Sequence, residues 1–166
     1  MKLLNETMRT SLRSSSEEET RRLGERIGRL LKGGEVLALQ GTLGAGKTCF
    51  VQGLARGLGV QETEVVSPTY TLIHELSGPL RLFHIDLYRL IDADDLENIG
   101  FFEAFGPDAV TVVEWADRFP ASIPEPYLLI RIERLSETVR EFTFEPRGGH
   151  SKELVGKIED GFPNST

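Results

Sequence analysis

The stretch EVLALQGTLGAGKTCF, Glu35 to Phe50, runs from apolar residues into a segment, Gly41 to Thr48, that holds three glycines, one lysine and one terminal hydroxyl. Val36 to Leu39 are all apolar, as expected for a short strand buried on both faces of a sheet with a parallel centre. Backbone that must come close to another group needs residues without Cβ, and glycine also reaches dihedrals that other residues avoid. Gly41, Gly46, Lys47 and Thr48 satisfy G-x-x-x-x-G-K-[ST], in which backbone N–H groups cradle phosphate, the lysine reaches the β and γ oxygens and the hydroxyl meets Mg²⁺. Phe50, Val51, Leu54 and Leu58 then fall on one helical stripe that Gly59 ends. The helix starting near Lys47 adds its N-terminal dipole to the same anion. Strand, glycine loop and helix in that order mark a P-loop, so Gly41, Thr42, Leu43, Gly44, Ala45, Gly46, Lys47, Thr48 and Cys49 are the expected nucleotide-binding segment.

A P-loop needs acidic partners for its metal and for an attacking water, placed at the C-terminal ends of strands near the phosphates. Two carboxylates meet that requirement. Asp86 ends the run LRLFHID and Glu114 ends AVTVVE, whereas most other acidic residues fall on helices, turns or tails. His84 precedes Asp86 by two residues and shares its strand face, which suits a hydrogen-bonded histidine that orients a neighbour. Trp115, next to Glu114, reads equally well as core or as a surface against the nucleotide.

Around this centre, SSSEEET offers three pairs at capping-box spacing, Ser14 with Glu17, Ser15 with Glu18 and Ser16 with Glu19. Leu23, Ile27, Leu30 and Leu31 recur at helical spacing, so a helix of about four turns is expected to stop at Gly33-Gly34. YTLIHEL and LRLFHID flank a turn at Ser77-Gly78-Pro79 as a hairpin, and DDLENIGFFEAFG is a short helical region. YLLIRIE and VREFTFE read as an exposed-edge hairpin, and the polar tail after Pro146 as loosely ordered. The expected fold is α/β, a P-loop NTPase-like mixed sheet with a parallel centre, antiparallel hairpin additions and flanking helices. Its expected division is an ATPase domain over 1–146 and a tail over 147–166.

The chain has 166 residues, enough for one domain, and an ordinary globular balance of 39% hydrophobic and 27% charged residues. Its 26 acidic against 19 basic residues give a net charge of -7, which argues against a large footprint on a phosphate backbone. The single cysteine, Cys49, excludes an internal disulfide and a thiolate metal cluster. No secretory leader or membrane-length apolar run is present in the sequence, so a cytoplasmic location is expected.

GTLGAGKT, SPTYTL (Ser67 to Leu72), HIDLYRL (His84 to Leu90) and VEWADR (Val113 to Arg118) together resemble the bacterial TsaE family, formerly called YjeE. The resemblance runs in order from about Ser14 to Phe144 and implies Mg²⁺-dependent ATP hydrolysis in the synthesis of tRNA threonylcarbamoyladenosine. It implies TsaB and TsaD as partners, TsaD making the transfer to the tRNA adenosine. This chain would not perform the transfer; it would be a monomer when alone and would bind tRNA poorly by itself. By the same resemblance Thr48 and Glu114 take the magnesium positions, Asp86 the Walker-B-like acidic position and Lys47 the phosphate position. The metal set is therefore Thr48, Asp86 and Glu114, and the catalytic set Lys47, Asp86 and Glu114. Thr69, in SPTYTL, is the expected contact near the γ-phosphate, and Ser16 and its neighbours approach the base. Thr42 and Cys49 depart from the family's usual aspartate and threonine without touching the backbone cradle.

Three rival readings share the glycine loop. A small-molecule kinase would bring a lid carrying several arginines, yet the arginines here are dispersed. A GTPase would carry Asn-Lys-x-Asp, which is absent. A module that binds nucleotide without turning it over is separated from an ATPase by measured hydrolysis.

Overall fold

The computed structural model describes residues 9–42, 44–61, 65–66, 72–149 and 151–162. Leu43, Thr69 and all of SPTYTL except Leu72 lie outside the described residues, so the expectations placed on them have no structural counterpart. The elements are β1 (Thr10–Ser14), α1 (Glu17–Gly28), β2 (Val36–Gln40), α2 (Lys47–Gly57), β3 (Ile73–Leu76), β4 (Arg81–Asp86), α3 (Asp95–Asn98), β5 (Ala109–Glu114), β6 (Tyr127–Arg134), β7 (Arg140–Arg147) and α4 (Ser151–Gly161).

The seven strands form one sheet in the order β1-β7-β6-β2-β5-β4-β3. β2 pairs in parallel with both β5 and β6, and β4 pairs in parallel with β5. Antiparallel pairs close the two sides: β3 on β4, and β7 with β1 beyond β6. The expected α/β fold with a parallel centre is the observed one. The apolar run of β2 has the physical origin inferred from sequence: Leu37 and Leu39 face α1, α2 and α4, whereas Val36 and Ala38 face Leu96, Phe101 and Ala104.

Ser16 supplies the helix cap at α1, its Oγ accepting the Glu19 N–H at 3.0 Å. Glu19 returns its carboxylate to the Ser15 N–H, so the third of the three candidate pairs is the one used. The helix is shorter than its periodicity suggests. Leu30 and Leu31 already bond to carbonyls three residues back, and Gly33 and Gly34, at φ 110° and 91°, turn the chain into β2.

Two further expectations need correction. The β6–β7 hairpin is not an exposed edge: β6 lies inside the sheet beside β2, and β7 is covered by β1. Alternation along β6 is partial because Leu128, Leu129, Ile130 and Ile132 are buried on both faces. β1 itself carries no legible sequence signal, since only Leu12 and Ser14 of its five residues turn inward. The tail is not loosely ordered over 151–161, where α4 buries Leu154, Val155 and Ile158 against the sheet. Those three apolar residues at i, i+1 and i+4 are the helical face that its polar composition obscures.

What holds the P-loop helix against its neighbour is a seam of four glycines. A Cβ on Gly24 or Gly28 of α1 would lie 2.3 Å from the Phe50 carbonyl oxygen or 2.5 Å from that of Leu54. On Gly53 or Gly57 of α2 it would lie 2.0 Å from the Arg21 oxygen or 2.2 Å from that of Glu25. The backbones of α1 and α2 therefore touch directly, and the atoms that would have to yield are backbone. Gly53→Ala is expected to cost at least about 1–3 kcal/mol, the usual range for overpacking. A denaturant melt showing the Gly53→Ala midpoint equal to that of the unsubstituted chain would contradict the seam.

Candidate functional site

The C-terminal ends of β2, β4 and β5 lie side by side, and in open α/β sheets that edge is where ligands bind. The glycine loop leaves β2 there. Gly44 and Gly46, at φ 76° and 105°, take the left-handed conformation that side chains resist, and Gly46 caps α2 without a side chain. A Cβ on Gly41 would stand 2.8 Å from the Ile132 carbonyl oxygen, so β6 also presses the loop.

A cavity of about 510 Å³ opens on this edge, lined by Gly44, Ala45, Gly46, Lys47, Thr48 and Cys49 of the loop together with Asp86, Glu114 and Trp115. Residues 38 to 67 positions beyond Thr48 are thus brought to the loop by the parallel register, in which Asp86 of β4 stands opposite Glu114 of β5. Ser16, the cap of α1, and Glu17 and Thr20 in its first turn line the same cavity. Thr42 is exposed and does not line it.

Lys47 is buried, and its Nζ donates to the Gly41 carbonyl and, at 3.0 Å, to that of Thr42. The ammonium also sits 4.3 Å from the centre of the Trp115 ring, a cation–π contact. Burial pulls its pKa below the usual lysine range, opposed by the negative charges of Glu114, Asp86 and Asp117. Burial pushes the Cys49 thiol the other way, above its ordinary value.

Trp115 both packs at the margin of the apolar cluster that holds Ile85, Leu87 and Val113 and lines the cavity. It adopts φ 58° and ψ 38°, a left-handed conformation that costs a non-glycine residue on the order of 1–3 kcal/mol. The strained turn brings the indole under Lys47 and against the Tyr88 ring at 4.8 Å, so it is a wall of the cavity. Arg118 donates to the Leu90 carbonyl at 2.6 Å and ties the loop after β5 to the loop after β4. Asp86 accepts the Tyr88 N–H at 2.8 Å, and His84 is hydrogen-bonded through Nε2 to Glu114 Oε2.

Sequence reasoning missed one side of the cavity. Glu137 and Thr138, from the turn between β6 and β7, and Arg140, the first residue of β7, line it on the side of β2 away from β5. Arg140 donates through Nε to the Ala45 carbonyl at 3.0 Å and through a terminal nitrogen to that of Gly44 at 3.4 Å. In a P-loop the N–H groups turn inward, so outward carbonyls are left for a partner such as this guanidinium. Nothing local marks Arg140, which stands 95 residues from Ala45 in the chain.

Thr48, Asp86 and Glu114 present hydroxyl and carboxylate oxygens to one cavity, a donor set of hard oxygens. Among the described residues no cluster of three or more His, Cys, Asp or Glu side chains forms a metal cage. That combination fits Mg²⁺, which takes one or two carboxylates and fills its shell with water and phosphate oxygens.

A parallel strand running into a glycine loop, with a buried lysine and two strand-end carboxylates facing it, defines a P-loop protein of the mixed α/β type. The chain belongs to the TsaE family: the family model for threonylcarbamoyl adenosine biosynthesis protein TsaE matches residues 14–142. A Treponema pallidum relative, the tRNA threonylcarbamoyladenosine biosynthesis protein TsaE, is 46% identical over 130 residues, 78% of this chain and 96% of that protein. The Bacillus subtilis protein of the same name is 40% identical over 148 residues, covering 88% of this chain and 91% of its own length. The crystal structure of Bacillus subtilis YdiB superposes with a TM-score of 0.72 at 32% identity, covering 92% of this chain and 95% of that one. Among the described residues no helix is long and apolar enough to cross a membrane.

Proposed function

We propose that this chain is a Mg²⁺-dependent ATP hydrolase that serves tRNA threonylcarbamoyladenosine formation in the cytoplasm, together with TsaB and TsaD, without making the transfer itself. The observation that carries the reading is the convergence of Lys47 and Thr48 from the start of α2, and Asp86 and Glu114 from two strand ends, on one cavity. The backbone N–H groups from Gly44 to Thr48 bind the phosphates, and the Lys47 ammonium meets their β and γ oxygens. Thr48, Asp86 and Glu114 hold the metal, one of the two carboxylates also orienting the attacking water. When bound, Mg²⁺ neutralises charge that develops on the phosphoryl oxygens. Arg140 holds the loop from outside by its carbonyls, and Trp115 and Ser16 bound the space beside it.

Calorimetric titration with Mg-ATP and a phosphate-release assay, with and without TsaB, TsaD and tRNA, test this. Saturable binding with slow hydrolysis that the partners accelerate is expected. Absence of Mg-ATP binding would refute the reading, and binding without turnover under every condition would favour a nucleotide-dependent interaction module.

With a net charge of -7 the chain is expected to reach tRNA through protein contacts. Those contacts can respond to nucleotide only as far as the partners bind the two states with different affinity. Pull-downs with the TsaB and TsaD pair in a non-hydrolysable ATP analogue, ADP or no nucleotide are expected to differ. Equal recovery in all three would remove the coupling, and tight tRNA binding by the chain alone at physiological salt would overturn the argument from charge.

A further inference from the structure

Three polar side chains, His84, Asp86 and Glu114, crown the sheet face that packs on α2, above the apolar layer of Leu82 and Val112. His84 is 0% exposed and Glu114 3%. Asp86 and Glu114 are register partners on adjacent strands, so their carboxylates repel and neither has bulk water to hold it in place. Among the described residues the side chain hydrogen-bonded to Glu114 is His84, through Nε2 to Oε2. The other ring nitrogen, Nδ1, is buried without a hydrogen-bond partner among the described residues.

We propose that His84 is a positioning residue for Glu114, held as the Nε2–H tautomer so that it donates to Oε2 and leaves Oε1 for the cavity. The proposal rests on the ATPase reading for its functional meaning, and on geometry alone for the tautomer. The opposite tautomer would set a lone pair against the carboxylate oxygen and bury an unpaired N–H at Nδ1. An orphan N–H is the rarer defect in folded proteins, whereas an unused lone pair is tolerated more often. Fixing one carboxylate oxygen in this way is the usual task of an outer partner at a metal site, and losing such a partner costs about 10–100-fold in activity or metal affinity.

Two measurements decide it. In the nucleotide-free protein, ¹⁵N spectra of the histidine rings should show His84 protonated at Nε2 and not at Nδ1, with its Nε2–H signal moved by Glu114→Gln. Secondly, His84→Leu should lower kcat about 10–100-fold and raise the Mg²⁺ concentration needed for hydrolysis, while metal-free ADP affinity stays within about 2-fold. His84→Gln, which keeps an N–H donor, should recover part of the loss. A ring protonated at Nδ1, or a folded His84→Leu protein with unchanged kcat and Mg²⁺ dependence, would overturn the proposal. If His84→Leu does not fold, the ring spectra and the Gln variant still decide. Should the unsubstituted chain neither bind nor hydrolyse Mg-ATP while the spectra show the Nε2–H tautomer, the functional reading falls and the positioning geometry stands.

Discussion

Asp86→Asn and Glu114→Gln are expected to lower kcat by about 10²–10³-fold each while changing nucleotide affinity far less. Both residues are nearly inaccessible to solvent, at 2% and 3% exposure, and both line the cavity beside Thr48. Each substitution keeps shape and removes one negative charge. In the ground state that loss is partly offset, because two adjacent carboxylates repel each other and the amide relieves it. In the transition state the metal and the water need the full charge, so the effect falls on kcat. Steady-state hydrolysis alongside calorimetry separates the two quantities. If both amide variants kept full kcat, the carboxylates would be structural and the mechanism wrong.

Lys47→Ala is expected to weaken Mg-ATP binding about 10- to 150-fold, the equivalent of one charge-assisted hydrogen bond of roughly 1.5–3 kcal/mol. The lysine is already partly stripped of water, which is why burial lowers its pKa despite three acidic neighbours. Its ammonium is therefore poised to gain from phosphate oxygens more than a hydrated surface lysine would. The variant should fold, since Gly41 and Thr42 lose only a side-chain donor to their carbonyls and neither residue is buried. Calorimetric titration reads the outcome, with circular dichroism confirming the fold. Unchanged affinity in a folded variant would remove the P-loop assignment.

The chain's own sequence determined what is local or periodic. Strand β2, the glycine loop and α2 are contiguous, and their patterns of burial, left-handed glycines and helical stripe depend on residues a few positions apart. Asp86 and Glu114 were legible because a strand's end is visible in its apolar run, and parallel packing puts such ends together. The capping pair at α1 was narrowed to three choices, and the Glu19 N–H donated to Ser16 Oγ selected one.

Tertiary structure alone decided the rest, because those features pair residues with no sequence relation. β1 is a strand only because β7 offers it a ladder, and β6 becomes interior only because β2 lies beside it. Arg140 reaches the glycine loop, and His84 reaches Glu114, through strand adjacency that no spacing in the chain encodes. The same holds for the four-glycine seam: each glycine is unremarkable in its own helix, and only the crossing of α1 on α2 leaves no room for a Cβ. Periodicity reports which face of an element is buried, whereas the partner that buries it is set by long-range packing.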